Sequence, residues 1–313
     1  MPSQKNKWRI TLIFLLGLVL LSILARRISA NDTGTITIDG RERTYEVHVP
    51  KPYDASRAVP LVLVLHGRLG NGHGTAGLTH FDSVSDVHGF LVVYPDGLHR
   101  SWSDGRGASP SEKEGVDDVK FLSLLIDKLS HEYNIDPARV YATGISNGGF
   151  MTQRLACDLS DQIAAVGIVA ATMGEDTANA CHPSRPVPVR MIHGTKDPLV
   201  PIGGGALGKN GSHGVVLSLE ATALKWAKLD GCNPKPAEAN LPDTADDGTS
   251  VRESVFSGCK AKAEVLVDVV DNGGHTWPGG KQYLPAAIIG KTTRNLDASE
   301  ALWEFFSKHS LPQ

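Results

Sequence analysis

Short apolar runs alternate with longer amphipathic segments along most of the chain. The first two runs, "TITID" and "TYEVHV", alternate polar and apolar residues, which is typical of antiparallel strands with one solvated face. The later runs are continuously apolar, as strands buried on both faces of a parallel sheet are. These runs are "PLVLVLHG", "FLVVYP", "RVYATG", "IAAVGIVA", "VPVRMIHG" and "EVLVDVV".

Amphipathic segments between these runs predict helices. The clearest covers residues 116–133, where apolar residues at helical spacing share one face. Others are predicted over 149–159, 217–229 and 298–309. Strands that alternate with helices predict an α/β fold with a mostly parallel, doubly wound sheet and an opening antiparallel pair.

Three connections bear on the shape of the fold. Residues 203–214 and 233–250 are rich in Gly, Pro, Asn and Asp, which predicts loops. The connection 171–185 is short, so no large lid is expected. In doubly wound sheets the functional crevice lies at the carboxyl ends of the strands, so candidate catalytic residues are expected there.

The first 30 residues differ from all that follow. Basic residues precede the apolar run 10–25, and "ISA" offers a cleavage site, so residues 1–30 are predicted to be a signal peptide. The alternative is an uncleaved N-terminal anchor, flanked by Arg26 and Arg27. Either interpretation places residues 31–313, predicted to form one domain, outside the cytosol, in the extracellular space or periplasm. After cleavage no membrane contact is expected.

The composition narrows the class of partner. The chain has 313 residues, 41% hydrophobic and 21% charged, which is typical of a globular protein. Its formal charge of -3 opposes nucleic-acid binding, because no basic surplus exists to neutralise phosphates. Neutral or small partners are expected, and the oligomeric state stays open.

Four cysteines predict two disulfides. Cys157, Cys181, Cys232 and Cys259 form no CxxC pair, so a zinc site is poorly supported and no metal is predicted. An even count in an exported chain favours disulfides. The order along the chain favours Cys157 with Cys181 and Cys232 with Cys259, but the other two pairings remain open.

Ser146 lies in the motif "GISNG", which matches G-x-S-x-G. In that motif a serine is held on a sharp turn between a strand and a helix, and here "RVYAT" precedes it and a predicted helix follows. The amide of Asn147, at the helix N-terminus, is then a candidate oxyanion donor. The alternative is a glycine-rich turn with an incidental serine.

A serine nucleophile needs a base and an acid. His275, in a glycine-rich loop after "EVLVDVV", is the candidate base. His193, at the end of a strand, is instead predicted to be a buried residue with a structural role. Asp197 follows the preceding strand and gives the chain order Ser, Asp, His of one known triad arrangement. Asp271, four residues before His275, is the rival acid.

Two further kinds of residue complete the candidate site. Arg68 follows the pair His66-Gly67 after a central strand, and its amide is the candidate second oxyanion donor. The glycine spacing there does not fit a phosphate-binding loop. Trp102 and Trp277 are predicted to offer flat apolar surface to substrate, with packing against the core as the alternative.

These motifs together resemble the α/β-hydrolase esterases of the polyhydroxybutyrate depolymerase and feruloyl esterase type. The resemblance is carried by "LVLVLHG", "GVDDVKF", "VYATGISNGGFMTQRLAC", "IHGTKDPLVP", "NGGHTWPGG" and the cysteine positions. It covers the chain from Thr33 onward. It implies an α/β-hydrolase fold, Ser146, His275 and Asp197 as the triad, and the disulfide pairing that the cysteine order favours. Polymer-degrading relatives often carry a cysteine where this chain has Arg68.

The sequence thus predicts a secreted serine esterase that acts on polyhydroxyalkanoate or on hydroxycinnamoyl- or acyl-polysaccharide esters without a metal or cofactor. A serine peptidase or an acyltransferase with the same triad is the nearest alternative, because fold and triad do not fix the acyl acceptor. An exported polymer-binding protein with an inactive triad is the alternative from another class.

Overall fold

The computed structural model describes residues 31–312. The predicted signal peptide or anchor, residues 1–30, lies outside this range. Among the described residues, no helix is long and apolar enough to span a bilayer.

A ten-stranded sheet forms the centre of the described chain, with two short strands outside it. The strands are β1 (Asn31–Ile38), β2 (Arg41–His48), β3 (Val59–Leu65), β4 (Leu91–Pro95), β5 (Ile135–Ile145), β6 (Ala165–Val169), β7 (Val189–Gly194), β8 (Gly205–Ala206), β9 (Val215–Val216), β10 (Ala237–Asn240), β11 (Ser250–Phe256) and β12 (Val265–Asp271). The sheet order is β1-β2-β4-β3-β5-β6-β7-β12-β11-β10, and β8 pairs with β9.

Helices cover both faces of this sheet. They are α1 (Gly72–Thr79), α2 (Phe81–His88), α3 (Pro110–Lys113), α4 (Asp118–Glu132), α5 (Asn147–Asp158), α6 (Glu175–Ala180), α7 (Leu219–Leu229), α8 (Ala286–Ile289) and α9 (Ala298–Phe306). The mixed, mostly parallel sheet with helices on each side is an α/β-hydrolase fold, as the sequence predicts.

The central strands are buried on both faces, which explains their continuous apolar sequences. In β3, Leu61, Leu63 and Leu65 belong to one apolar core, whereas Val62 and Val64 belong to the core on the opposite face. Successive side chains of a strand point to opposite sides, so each core receives every second residue. The strands from β4 through β12 in the sheet order pair in parallel, and their carboxyl ends share one edge.

Both edges of the sheet are antiparallel. The predicted opening pair is confirmed as β1 and β2. At the other edge, β10 and β11 extend the sheet, although residues 233–250 were predicted to be loop. All four residues of β10 are exposed, so the alternation of two alanines with polar residues in "AEAN" marks no buried face. A four-residue edge strand that buries nothing is too short and too polar to be told from a loop by its pattern.

The predicted helices are present with small differences in length. The helix predicted over 116–133 is α4, which begins at Asp118 because the side chain of Asp117 accepts a hydrogen bond from Lys120 N at 2.9 Å. The other three predicted helices are α5, α7 and α9. Helices α1 and α2 were not predicted. The glycine-rich sequence of α1 has no apolar stripe that would indicate a helix.

Both disulfides form as the cysteine order favours. Cys157, in the last turn of α5, bonds Cys181, which follows α6. Cys232, which follows α7, bonds Cys259 after β11. The connection from β6 to β7 carries only the six-residue helix α6, so no large lid is inserted there.

Asp230 is a buried carboxyl group at the end of α7. Its Oδ1 accepts a hydrogen bond from Val187 N at 2.9 Å, and its Oδ2 has no partner. Burial raises the pKa of Asp230 from 3.8 to about 7. The folded protein therefore binds more protons than the unfolded chain between these two values, so the free energy of unfolding falls as pH rises from about 4 to about 7.

We expect Asp230→Asn to remove this pH dependence. At pH 8 the variant should be more stable than the parent by about 2 kcal/mol, because a buried neutral amide replaces a buried anion. At pH 4 the two should unfold at the same denaturant concentration. Guanidinium unfolding at both pH values measures the difference, with exposed Asp127→Asn as control. If the free energies of unfolding of the parent and of Asp230→Asn changed with pH in the same way, Asp230 would not have the raised pKa.

Candidate active site

Ser146 occupies a strained turn between β5 and α5. Its φ is +57°, in the left-handed region that residues with a side chain rarely adopt. Ser146 N donates to Val169 O of the neighbouring strand at 3.0 Å. A Cβ atom on Gly148 would clash with the carbonyl oxygen of Leu65, so the turn requires glycine there. This geometry holds the half-buried serine at the carboxyl edge of the sheet.

Asp197 is held by its own loop after β7. Its Oδ1 accepts hydrogen bonds from Leu199 N and Val200 N, both at 2.8 Å. Its Oδ2 lies 2.7 Å from His275 Nδ1, and both side chains are buried. Because a carboxylate only accepts, the Nδ1 proton of His275 points at Asp197 and Nε2 is left as the basic nitrogen. The rival acid, Asp271, pairs with Arg252 and not with His275, with 3.9 Å between Asp271 Oδ1 and Arg252 Nη2.

The loop after β12 fixes the His275 backbone on both sides. His275 N donates to Ile289 O at 2.6 Å, and the Tyr283 hydroxyl donates to His275 O at 2.8 Å. Burial, together with the charge of Asp197, raises the pKa of Tyr283 to about 12, so the hydroxyl keeps its proton. A Cβ on Gly274 would clash with the Ile289 carbonyl oxygen, which explains the glycine before the histidine.

The three candidate triad residues lie at the same edge of the sheet. Their strands, β5, β7 and β12, are parallel and separated only by β6. Among the described contacts, the Ser146 hydroxyl makes no hydrogen bond to His275. Hydrogen bonds of this kind are often long or absent in unliganded enzymes and tighten when substrate binds. The structure thus places the candidate acid and base in direct contact, with the candidate nucleophile at the same edge of the sheet.

The loop after β3 lies against the serine turn. A Cβ on Gly67 would be 3.5 Å from the Ser146 Cβ, which is ordinary van der Waals contact. His66 holds this loop: its Nε2 accepts from Gly97 N at 2.9 Å, so its Nδ1 carries the proton and donates to Gly67 O at 2.8 Å. Burial lowers the pKa of His66, which keeps the ring in this neutral form.

Two backbone amides remain available beside the serine. Within residues 31–312, neither Arg68 N nor Asn147 N donates a hydrogen bond to another backbone group. Asn147 is the first residue of α5, where helix N–H groups lack partners and the helix dipole favours negative charge. The two candidate oxyanion donors thus belong to the loop after β3 and to the first turn of α5, which meet at Ser146.

Trp102 and Trp277 do not line a substrate surface, which corrects the prediction. Both side chains are fully buried. The Trp102 indole donates to His66 O at 2.9 Å, and the Trp277 indole donates to Ser299 Oγ at 3.1 Å. Buried indoles need such partners, and here each packs a loop onto the core. For both tryptophans, the structure thus matches the alternative interpretation, packing against the core.

The Asn147 side chain has a role that the sequence did not indicate. Its Oδ1 accepts from Trp102 N at 2.8 Å, and its Nδ2 donates to Asp104 Oδ2 at 2.5 Å. Asp104 in turn pairs with Arg106, with 2.6 Å between Oδ2 and Nη2. The loop of residues 101–106 therefore fastens the start of α5, which carries the serine turn.

Asp118 anchors the same loop from another helix. Its Oδ2 accepts from Ser103 N at 2.7 Å, and its Oδ1 pairs with the buried Arg43 guanidinium at 2.6 Å. In the sequence, the two consecutive acids of "GVDDVKF" were the only indication that a carboxylate here has a structural role. Asp117 caps α4 and Asp118 ties the loop, so the two neighbouring carboxylates have different roles.

His193 is buried, as predicted, and lies beside the candidate acid Asp197. Its Nε2 donates to Val200 O at 2.8 Å and lies 3.7 Å from Asp197 Oδ2. Burial lowers the pKa of His193, so its ring is neutral and places no cation beside the carboxylate. Among the described residues, no group of three or more His, Cys, Asp or Glu side chains is arranged to hold a metal ion.

Solved structures share this fold. The acetyl xylan esterase from Aspergillus awamori superposes with a TM-score of 0.55 and 14% identity, and the match covers 78% of this chain and 94% of that chain. At this identity the likeness concerns the fold alone.

Sequence comparisons place the chain in a family. NocK, an inferred esterase of Nocardia uniformis subsp. tsuyamanensis, is 30% identical over 292 residues, which cover 90% of this chain and 84% of NocK. Feruloyl esterase C of Emericella nidulans is 27% identical over 283 residues, which cover 87% of this chain and 86% of that enzyme. The family model "Esterase PHB depolymerase" matches residues 43–200. The chain therefore belongs to the Esterase PHB depolymerase family of carboxylic ester hydrolases.

Proposed function

We propose that the chain is an exported serine esterase in which Ser146 attacks the ester carbonyl, His275 moves the proton and Asp197 orients His275. The observation that carries the proposal is the buried 2.7 Å contact between Asp197 Oδ2 and His275 Nδ1. Since two backbone amides bond the other carboxylate oxygen, Oδ2 is left to accept a hydrogen bond from the Nδ1–H group of His275. Nε2 is then free to accept a proton from the serine.

In the first step, His275 Nε2 takes the hydroxyl proton of Ser146 while Oγ forms a bond to the carbonyl carbon. The carbonyl oxygen becomes an oxyanion, which the amides of Arg68 and Asn147 stabilise by hydrogen bonds. When the tetrahedral intermediate collapses, the bond to the alcohol oxygen breaks and the imidazolium gives its proton to that oxygen. The alcohol leaves, and the acyl group remains on Ser146.

Water completes the cycle. His275 Nε2 takes a proton from a water molecule as its oxygen attacks the acyl carbon, and the same two amides hold the second oxyanion. Collapse breaks the bond to Ser146 Oγ, which recovers its proton from the imidazolium, and the free acid leaves. These steps need no metal or cofactor.

The substrate class that we propose is an acyl ester of a polysaccharide or a polyester chain. The name of the related feruloyl esterase C supports an acyl-polysaccharide, and the family model supports a polyester. The short connection between β6 and β7 inserts no large lid at that point of the serine edge, which suits an extended substrate. The two disulfides support export, because disulfides persist in oxidising compartments.

One comparison of products tests both the reaction and the substrate. The purified protein is incubated separately with polyhydroxybutyrate, a feruloylated arabinoxylan and acetylated xylan, and hydroxybutyrate, ferulate and acetate are measured by chromatography. We expect ester hydrolysis, with release from one substrate exceeding the others by at least about tenfold, since selectivity arises from differential transition-state binding.

Amide and acyl-acceptor controls separate the alternative reactions. A peptide amide with the same acyl group should not be cleaved, and added sugar alcohols should not divert the acyl group from water. Cleavage of the peptide amide that requires Ser146 would make the protein a peptidase. Acyl transfer to sugar in preference to water would make it an acyltransferase.

A further inference from the structure

One of the two residues that supply the proposed oxyanion amides has a cationic side chain. Arg68, whose amide is one of the two proposed oxyanion donors, has an exposed side chain. Its Nη1 donates a hydrogen bond to His213 Nε2 at 2.9 Å. No carboxylate within residues 31–312 lies within ion-pair distance of the Arg68 guanidinium. The proposed catalytic machinery thus carries a positive charge that the protein itself does not neutralise.

The surroundings of Arg68 add positive charge. Arg100 bonds the carbonyl oxygens of Leu69 and Gly70, and neither it nor Lys113 makes an ion pair within the described residues. Burial and the neighbouring cations Arg68, Arg106 and Lys113 lower the pKa of His213, so its ring is neutral and accepts from Arg68.

The position of the Arg68 guanidinium is held from a second loop. The carbonyl oxygen of His213 accepts from Arg106 Nη1 at 3.1 Å. Arg106 is itself fixed by Asp104 and stacks over the Phe150 ring, 3.8 Å from its centre. Asp104 also accepts a hydrogen bond from the Asn147 side chain, which lies next to the serine turn. Through Arg106, Asp104 therefore also helps to hold His213, whose ring accepts from Arg68. An oriented arginine loses less rotamer freedom when it binds a planar anion.

We infer that Arg68 is a specificity residue that recognises a carboxylate on the ester substrate, a few bonds from the ester group that Ser146 attacks. This inference rests on the proposed function, because it assumes that the ester carbonyl is held at the Arg68 amide. The carboxylate belongs either to the acyl group, as in a hemiester of a dicarboxylic acid, or to the alcohol, as in a uronate. The guanidinium matches carboxylate geometry with two parallel N–H donors.

Paired esters that differ only in charge test the inference. For the acyl group, mono-p-nitrophenyl adipate is compared with its methyl ester; for the alcohol, 4-carboxyphenyl acetate is compared with its methyl ester. The measured quantity is the ratio of kcat/KM for the anionic ester to that for the neutral ester, because the ratio cancels any change that affects both. Arg68→Gln and Arg68→Lys are the test variants.

We expect Arg68→Gln to lower this ratio about fivefold for one of the two pairs, and Arg68→Lys to restore part of it. In the parent protein the ratio should fall as NaCl rises to 0.5 M, and in Arg68→Gln it should not. Exposed Arg57, at the opposite end of β3, supplies the control Arg57→Gln, which should match the parent.

Each other outcome overturns the inference. An unchanged ratio in Arg68→Gln for both pairs, or an equal change in Arg57→Gln, would remove Arg68 as a specificity residue. Failure of the proposed function looks different, because the parent would then hydrolyse neither the neutral nor the anionic ester.

Discussion

Replacing Ser146 by alanine should lower kcat/KM for a short p-nitrophenyl ester by about a millionfold, the effect of removing a triad nucleophile. Only the hydroxyl is lost, and that hydroxyl makes no hydrogen bond among the described residues. Alanine keeps the Cβ that already fits the strained turn, so the free energy of unfolding should change by less than about 0.5 kcal/mol. Ester hydrolysis is followed at 405 nm and stability by urea unfolding.

Exposed Ser310 provides the matched control, since Ser310→Ala removes a hydroxyl near the C-terminus and should leave kcat/KM as in the parent. A fluorophosphonate probe should label the parent at Ser146 and leave Ser146→Ala unlabelled. If Ser146→Ala kept more than a few per cent of parent activity in a folded protein, the serine mechanism would be wrong.

Replacing Asp197 by asparagine should lower kcat by about ten thousandfold. The amide oxygen can still accept from Leu199 N and Val200 N, which leaves the amide nitrogen facing His275. An N–H group there donates to Nδ1, so the imidazole proton moves to Nε2. His275 then presents a donor to Ser146 where a base is needed.

Asp271→Asn is the control for this prediction because Asp271 is the other acid close to His275 along the chain. It is partly exposed and lies near Arg252, so the substitution should change kcat by less than about twofold. Both variants should keep the parent's far-ultraviolet circular dichroism. A large loss of kcat in Asp271→Asn with little loss in Asp197→Asn would exchange the roles of the two acids.

The sequence predicted the part of the site that depends on local pattern. A serine between a strand and a helix, and an acid and a histidine directly after buried parallel strands, must meet at one edge of the sheet. The structure confirms the strands and the contact between Asp197 and His275. The catalytic roles of these residues stay predictions until the variants are measured.

The supporting contacts depend on tertiary structure and could not be predicted in the same way. Asn147 meets Asp104 across 43 positions of sequence, and Asp118 meets Arg43 across 75. No periodicity links such pairs. The indole of Trp102 was predicted to offer flat apolar surface to substrate, whereas the fold turns it inward, where it donates to the His66 carbonyl oxygen.

The two disulfides determine where the protein can be produced in active form. Each closes a loop of about 25 residues and so contributes about 3 kcal/mol by restricting the unfolded chain. A reducing bacterial cytosol would leave all four thiols free and remove much of the stability typical of a domain. Recombinant material for enzymology should therefore be directed to an oxidising compartment, such as the periplasm of the expression host.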